Sequence, residues 1–169
     1  LSFTAEEAWG FMGQPDAPHS ESIFMETYTA WPASVVNADG LPNAASVALL
    51  TKWQRICEIR NLVNKEIETV RTTGAVGSSL QANVTLTVPS EDHAVLASLG
   101  DDLKFVTITS AMELIAGNAI HISVEASKSQ KCERCWHYRD DVGHDAAHPG
   151  LCGRCTSNLH GAGEQRVAA

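Results

Sequence analysis

The spacing of apolar residues predicts one long helix in the first half of the chain, from about Ala44 to Thr73. Gly74 and Gly77 follow the last apolar position and predict where this helix ends. Cys57 falls inside the pattern and is expected to be buried as a small apolar side chain. The apolar positions recur every three or four residues, at Leu49, Trp53, Ile56, Ile59, Val63, Ile67 and Val70.

Before this helix the pattern is weaker. Thr4 and Glu7 have the spacing of a capping box and predict a first helix that starts at Thr4. Residues 13–20 contain two prolines and predict a loop. Residues 22–28 are expected to be extended, with Ile23, Met25 and Tyr28 partly buried.

After residue 78 the period changes and predicts a small α+β unit. Residues 83–88 alternate polar and apolar side chains, as a half-buried strand does. A helix capped by Ser90 is expected to run to about Leu99. The apolar runs at 105–108 and 120–124 predict two more strands.

Four cysteines near the C-terminus form two C-x2-C pairs, Cys132 with Cys135 and Cys152 with Cys155, and sixteen residues separate the pairs. This spacing is typical of a four-thiolate zinc site. Iron and disulfides are the competing interpretations, but paired cysteines in a chain without secretory features favour a metal. Such a site would hold one zinc with no position open for water. It would therefore be structural and not catalytic.

Charge changes the picture of what this segment can bind. The chain carries a net charge of −8, which argues against a surface covered in cations for nucleic acid. Residues 1–127 hold six Lys or Arg against fifteen Asp or Glu, whereas residues 128–169 hold six against five. The cysteine segment is thus the least acidic part. Arg134 and Arg154 either offset the charge of a zinc–thiolate centre or contact nucleic acid.

Trp136 directly follows Cys135. It can cover the metal site, or it can offer a platform on which an unpaired base stacks. His137 lies beside it.

The segments Lys131-Cys-Glu-Arg-Cys-Trp-His-Tyr138, Asp141-Val-Gly143 and Leu151-Cys-Gly-Arg-Cys155 closely resemble the zinc-binding C-terminal segment of bacterial isoleucyl-tRNA synthetases. The resemblance extends upstream to Ser2–Trp9 and to the long helix with its exit at Gly77-Ser-Ser-Leu80. It implies a class I ligase that joins isoleucine to its tRNA with ATP and magnesium. The family's catalytic and editing domains have no counterpart here, so the chain is expected to be a non-catalytic fragment.

The resemblance assigns the four cysteines as zinc ligands and places Trp136 beside the anticodon stem-loop. It implies a monomeric cytoplasmic enzyme, with no membrane contact, whose remaining domains lie upstream. Contact with RNA is predicted for Trp136, for its neighbours Arg134, His137 and Arg154, and for Arg60 and Arg71 on the long helix.

Two other functions stay open at this point. The same type of zinc knuckle resembles the finger of formamidopyrimidine-DNA glycosylases, although that family's catalytic proline and helix–two-turn–helix are not found. A zinc ribbon that binds only proteins is the other alternative.

The predicted fold class is α+β: a partial helical bundle with one long helix, a small α+β unit and a four-cysteine zinc knuckle. The corresponding domains are residues 1–78, which form the C-terminal part of a helical anticodon-binding domain, then 79–127, and finally 128–169 with the tail.

Overall fold

The structure is a computed structural model that describes residues 2–12, 20–28 and 30–164. The chain divides into two compact units, Leu1–Val47 and Ala48–Ala169. The helices are α1 (Ser2–Met12), α2 (Ala44–Thr72), α3 (Ser90–Ala97), α4 (Leu103–Thr107) and α5 (Gly153–His160). The strands are β1 (Ala82–Pro89), β2 (Ala111–Gly117), β3 (His121–Ala126), β4 (Gln130–Lys131) and β5 (Tyr138–Arg139).

In the first unit, α1 is joined by hydrogen bonds to the turn that follows residue 20. The Glu6 carboxylate accepts hydrogen bonds from the Ser22 hydroxyl (3.0 Å) and the Ile23 amide (3.2 Å). The helix already includes Ser2, so the prediction that Thr4 caps it is wrong. The predicted loop at 13–20 lies outside the described residues except for Ser20.

The prediction that residues 22–28 are extended is wrong at Ile23–Met25, although Ser22 and Glu26 on either side have extended backbone. Residues Ile23–Met25 form a 3₁₀ turn, because the Ser22 hydroxyl accepts a hydrogen bond from the Phe24 amide and caps the turn. Ile23 is partly buried as predicted, whereas Met25 and Tyr28 are exposed.

The long helix α2 confirms the apolar periodicity. Asn43 precedes it and accepts a hydrogen bond from the Ser46 amide at 3.0 Å, as an N-cap does. Gly74 follows it with a φ of +82°, a conformation that glycine adopts without strain. Four positions of the stripe, Ile56, Ile59, Val63 and Ile67, are buried.

The stripe is less uniform at its N-terminal end. Leu49 is 53% exposed, whereas Trp53 and the four positions from Ile56 to Ile67 pack into the core; Val70, at the other end, is half-buried and lies outside the core cluster. Cys57 is exposed, so the prediction that it is buried is wrong: it lies one position past Ile56, outside the narrow face that packs on the sheet.

The core of the second unit lies between α2 and a three-stranded sheet with the order β2-β1-β3. β1 pairs in parallel with β2 and antiparallel with β3. Alternate side chains of β1 are fully buried, at Ala82, Val84, Leu86 and Val88. Because β1 is central and amphipathic, it is the strand that the sequence pattern identifies most clearly.

Two elements between β1 and β3 differ from the prediction. Residues 105–108, predicted as a strand, belong to α4 and its cap: Leu99, Leu103 and Val106 pack on the core at helical spacing, and Ile108 ends the helix at a φ of +57°. The strand β2 is absent from the prediction. Ser90 is the first residue of α3 and not its cap, since Pro89 occupies that position.

The α+β fold class is confirmed, and so is the strand at 120–124, which forms β3 as His121–Ala126. The boundaries at 78 and 127 stay predictions. Within the described residues, no helix combines the length and apolar character needed to cross a bilayer.

Candidate metal centre

The first cysteine pair lies in the turn between β4 and β5. The Cys132 amide donates to the His137 carbonyl (2.9 Å), and the Trp136 amide donates back to the Cys132 carbonyl (3.0 Å). These two hydrogen bonds close the turn and direct both thiols to the same side. The ribbon formed by β4 and β5 is only two residues long on each strand, so the turn has little other support.

The second pair lies at the start of α5. Cys152 occupies the N-cap position of the helix, and Cys155 lies in its first turn. Asp141 joins this helix to the first turn: its carboxylate accepts hydrogen bonds from the Arg139 guanidinium (2.8 and 3.0 Å) and from the Gly153 amide (3.1 Å). The sequence motif around Asp141 supports the resemblance, but it does not reveal this bridging role.

The four thiols converge on one point. All four sulfur atoms lie within 4.8 Å of one another, and the Cys135 and Cys152 sulfurs are 3.7 Å apart. Zinc–sulfur bonds of roughly 2.3 Å in a tetrahedron place sulfurs about 3.8 Å apart, so the observed spacing fits such a centre. Cys132, Cys152 and Cys155 have no solvent exposure.

Donors favour the charged form at Cys132, whereas burial raises the pKa of the Cys135 thiol to about 12 and also raises that of the Cys152 thiol. The Cys152 amide donates to the Cys132 sulfur at 3.4 Å, and Arg134 Nη1 lies 3.7 Å from the Cys155 sulfur. Burial raises the pKa of the Cys132 thiol, but backbone amides from Cys135, Cys152 and Arg134 outweigh it and bring that pKa down to about 6. A four-thiolate set of this kind holds a metal structurally and leaves no position for a reacting water.

Trp136 stands at the surface of this turn. It is 58% exposed, and its backbone has a φ of +65°, a left-handed conformation that residues other than glycine rarely adopt. Its indole N–H donates to the Glu133 carbonyl at 3.1 Å. The Lys131 ammonium lies 5.4 Å from the ring centroid, within reach of a cation–π contact.

His137, the next residue, is directed inward. Its ring meets the Phe105 ring edge to face, with centroids 5.5 Å apart. Its Nδ1 donates to the Cys135 carbonyl at 3.2 Å, which leaves Nε2 as a buried acceptor without a hydrogen-bond partner among the described residues. Burial, together with the positive charges of Arg154 and Lys104, lowers the pKa of His137. The imidazole is therefore neutral at neutral pH.

Arg154 joins the same cluster. Its guanidinium carbon lies 4.7 Å from the Phe105 centroid, and its Nε is 3.3 Å from a Glu164 carboxylate oxygen. The structure thus brings together His137 and Arg154 around Phe105, a residue that sequence reasoning does not single out. Arg134 and Trp136 lie at the exposed side of the turn.

The two predicted RNA contacts on α2 are placed differently. Arg71 forms an ion pair with Glu68 through two hydrogen bonds of 2.8 and 2.9 Å. Arg60 has a buried Nε with no hydrogen-bond partner among the described residues. Of the histidines near the knuckle, His148 and His160 stack face to face with centroids 3.9 Å apart.

Comparison with known proteins assigns this segment and the chain around it. Residues 129–158 match the family described as the zinc finger found in FPG and IleRS. Over its whole length the chain is 52% identical to an isoleucine–tRNA ligase of Ralstonia pickettii, 51% identical to one of Burkholderia multivorans and 50% identical to one of Bordetella pertussis.

In each case the chain spans 17% of the relative's length. The finger family alone covers two kinds of protein, but these three relatives, which match the whole chain, are isoleucine–tRNA ligases, class I aminoacyl-tRNA synthetases. The resemblance to isoleucyl-tRNA synthetases is thus confirmed along the entire chain, for a segment that makes up 17% of the length of those ligases.

Proposed function

We propose that this chain is the tRNA-binding end of an isoleucine–tRNA ligase, a cytoplasmic monomer that joins isoleucine to its tRNA with ATP. Support comes from identity of about half of all positions across the whole chain. ATP and magnesium would bind to other domains of the enzyme. The closed four-cysteine set offers no catalytic position, so the contribution of this region is to recognise RNA.

In this proposal Cys132, Cys135, Cys152 and Cys155 hold one structural zinc. The sulfur spacing and the burial of three of the thiols support this role. The metal takes the place of a hydrophobic core, because the described cluster around the cysteines adds only Val142 and part of Leu151.

The exposed indole of Trp136 carries the RNA-binding part of the proposal. A large aromatic ring that is 58% exposed, fixed by a hydrogen bond and placed at the tip of a metal-bound turn is suited to stack on an unpaired anticodon base. Arg134 and Lys131 are both exposed and precede Trp136 by two and five residues, where they can reach phosphates. Arg154 and His137 support the turn from its inner side.

The test is the affinity of the full-length ligase for isoleucine tRNA. Trp136→Ala is expected to weaken binding by roughly five- to hundredfold, the value of one base stacked on an aromatic ring. The rate of isoleucine activation, measured by pyrophosphate exchange, should not change. Leu159→Ala is the matched control, because it truncates another exposed apolar side chain of the same segment.

Salt dependence separates stacking from charge. With two cations at the contact, the slope of log K against log salt attributable to this surface should be about −1.5. Equal affinity for an unrelated tRNA would argue against recognition of the anticodon. Unchanged tRNA binding and charging by the Trp136→Ala enzyme would favour a zinc ribbon that contacts only protein.

A further inference from the structure

The knuckle contacts the rest of its unit through a small aromatic and cationic cluster. Phe105, on α4, meets the His137 ring edge to face at 5.5 Å. The same Phe105 ring has the Arg154 guanidinium 4.7 Å and the Lys104 ammonium 5.3 Å from its centroid. His137 comes from the first cysteine turn and Arg154 from the second, so one ring contacts both halves of the knuckle.

A second contact reinforces the first. The Ser110 hydroxyl accepts a hydrogen bond from the Tyr138 amide at 2.6 Å and donates to the Leu80 carbonyl. Tyr138 begins β5 directly after His137. Two consecutive residues of the knuckle are therefore attached to the α+β unit, one through its side chain and one through its backbone.

The metal turn is shaped by the hydrogen bonds of the Cys132, Glu133 and Trp136 amides and by the sulfur cluster. Among the described residues, none of these contacts involves Phe105. Zinc can thus set the internal shape of the turn, but it cannot set the direction in which the turn faces. That direction depends on the contacts of His137 and Tyr138.

Trp136 precedes His137 in the chain. Its backbone has a left-handed conformation, and its ring projects into solvent, whereas the His137 ring lies in the interior. With His137 anchored on Phe105, the Trp136 indole has one direction in which to project.

We propose that Phe105 is a positioning residue for RNA recognition: it anchors His137 and Arg154 and so fixes the direction in which Trp136 faces the anticodon. This inference rests on the proposed function, since it assumes that Trp136 contacts RNA. Phe105 does not itself touch the RNA.

The experiment uses the full-length ligase with Phe105→Ala, Phe105→Leu and Phe105→Tyr. Phe105→Ala is expected to raise Kd and KM for isoleucine tRNA roughly two- to twelvefold, the equivalent of one aromatic pair contact. The kcat for charging, pyrophosphate exchange and one zinc per chain should be retained. Phe105→Tyr keeps the aromatic ring and should keep the wild-type affinity for isoleucine tRNA. Phe105→Leu keeps only the apolar volume, and its affinity should lie between those of the Tyr and Ala variants.

A double-mutant cycle with Trp136→Ala gives the decisive result. If Phe105 acts mainly through Trp136, Phe105→Ala should raise Kd clearly less in the Trp136→Ala background than in the wild type, because only the Arg134 and Lys131 contacts remain to be displaced. An effect of the same size in both backgrounds would overturn the proposal. Loss of zinc from both the Ala and the Leu variants would also overturn it, because Phe105 would then support the metal site.

The cycle also separates this inference from the function on which it rests. If Trp136→Ala leaves tRNA affinity unchanged, the RNA contact itself is rejected. If Trp136→Ala weakens binding and Phe105→Ala does not, only the positioning role is rejected.

Discussion

The left-handed backbone of Trp136 predicts that two truncations of its side chain differ in stability. At a φ of +65° an alanine pays a steric cost of about 1–2 kcal/mol, which a glycine avoids. Glycine also makes the unfolded chain more flexible, and this reduces the advantage of the glycine variant over the alanine variant by about 0.4–1 kcal/mol. Trp136→Gly should therefore be more stable than Trp136→Ala by about 1 kcal/mol.

Both variants lose the part of the indole that the turn covers. Because the side chain is 58% exposed, about two-fifths of it is buried. For a ring that offers roughly 250 Å² this is about 100 Å², or about 2.5 kcal/mol of apolar burial. Relative to the wild type, the alanine variant should lose about 2.5 kcal/mol and the glycine variant about 1.5 kcal/mol.

Zinc competition with a chromophoric chelator measures the difference, since folding of this segment is linked to metal binding. A gap of about 1 kcal/mol corresponds to a roughly fivefold tighter apparent zinc affinity for Trp136→Gly than for Trp136→Ala. Leu159 in α5 supplies the control. At this exposed helical position the order should reverse, with alanine favoured over glycine by about 1 kcal/mol. Equal zinc affinity of the two Trp136 variants would refute the argument from backbone strain.

Three further outcomes are expected. A chelator should unfold residues 130–160, which have little apolar core beyond the cysteines, and leave α2 folded. The near-UV circular dichroism signal should change, while most of the helical far-UV signal should persist. No change in either signal would contradict the structural role of the metal. Ile59→Ala, in the buried core, should lower the free energy of unfolding in urea by about 2–5 kcal/mol. Asp92→Asn should cost about 1 kcal/mol at neutral pH, a modest value because the Arg55 partner is 40% exposed. The hydrogen bond from Arg55 lowers the pKa of Asp92, so this contribution is present above the unfolded value of about 3.9 and is lost as pH falls through the lower folded value; urea titrations below pH 4 should show wild type and variant converging.

The elements that sequence predicts well are those whose pattern is local and long. The apolar stripe of α2 runs from Leu49 to Val70, about six turns, and β1 alternates over eight residues, so each pattern fits only one secondary-structure period. The cysteine site is equally local, because each pair lies within a single turn and structural zinc is bound by Cys or His ligands at such short spacings.

Short apolar runs do not carry enough information. Residues 105–108 fit a strand or a helix, and the choice is made by Leu99 and Leu103, which extend the helical spacing upstream. The strand β2 has only small residues at its ends, Ala111 and Ala116-Gly117, and a glutamate inside, so its own pattern is weak. It becomes a strand because β1 offers an unpaired edge in parallel register.

The anchoring of the knuckle is beyond sequence reasoning for a related cause. Ser110 and Tyr138 are separated by 28 residues, and Phe105 lies in a run whose pattern also fits a strand, so no local spacing links them to the cysteines. The metal ligands of this centre can be predicted from the sequence, whereas the contacts that orient the knuckle depend on tertiary packing.

The acidity of the chain is compatible with RNA recognition once its ion pairs are considered. Arg55 is neutralised by Asp92, Arg71 by Glu68 and Arg139 by Asp141, so these cations add little to the field that a phosphate meets. Arg134 and Lys131 are exposed near Trp136, and their contacts are with the Cys155 sulfur and the Trp136 ring; within the described part of the chain neither is paired with a carboxylate. A net negative chain can therefore present a local cationic edge around one stacking ring. Because repulsion from the rest of the surface disfavours RNA bound elsewhere, the same charge distribution would favour specific binding at the knuckle over non-specific binding.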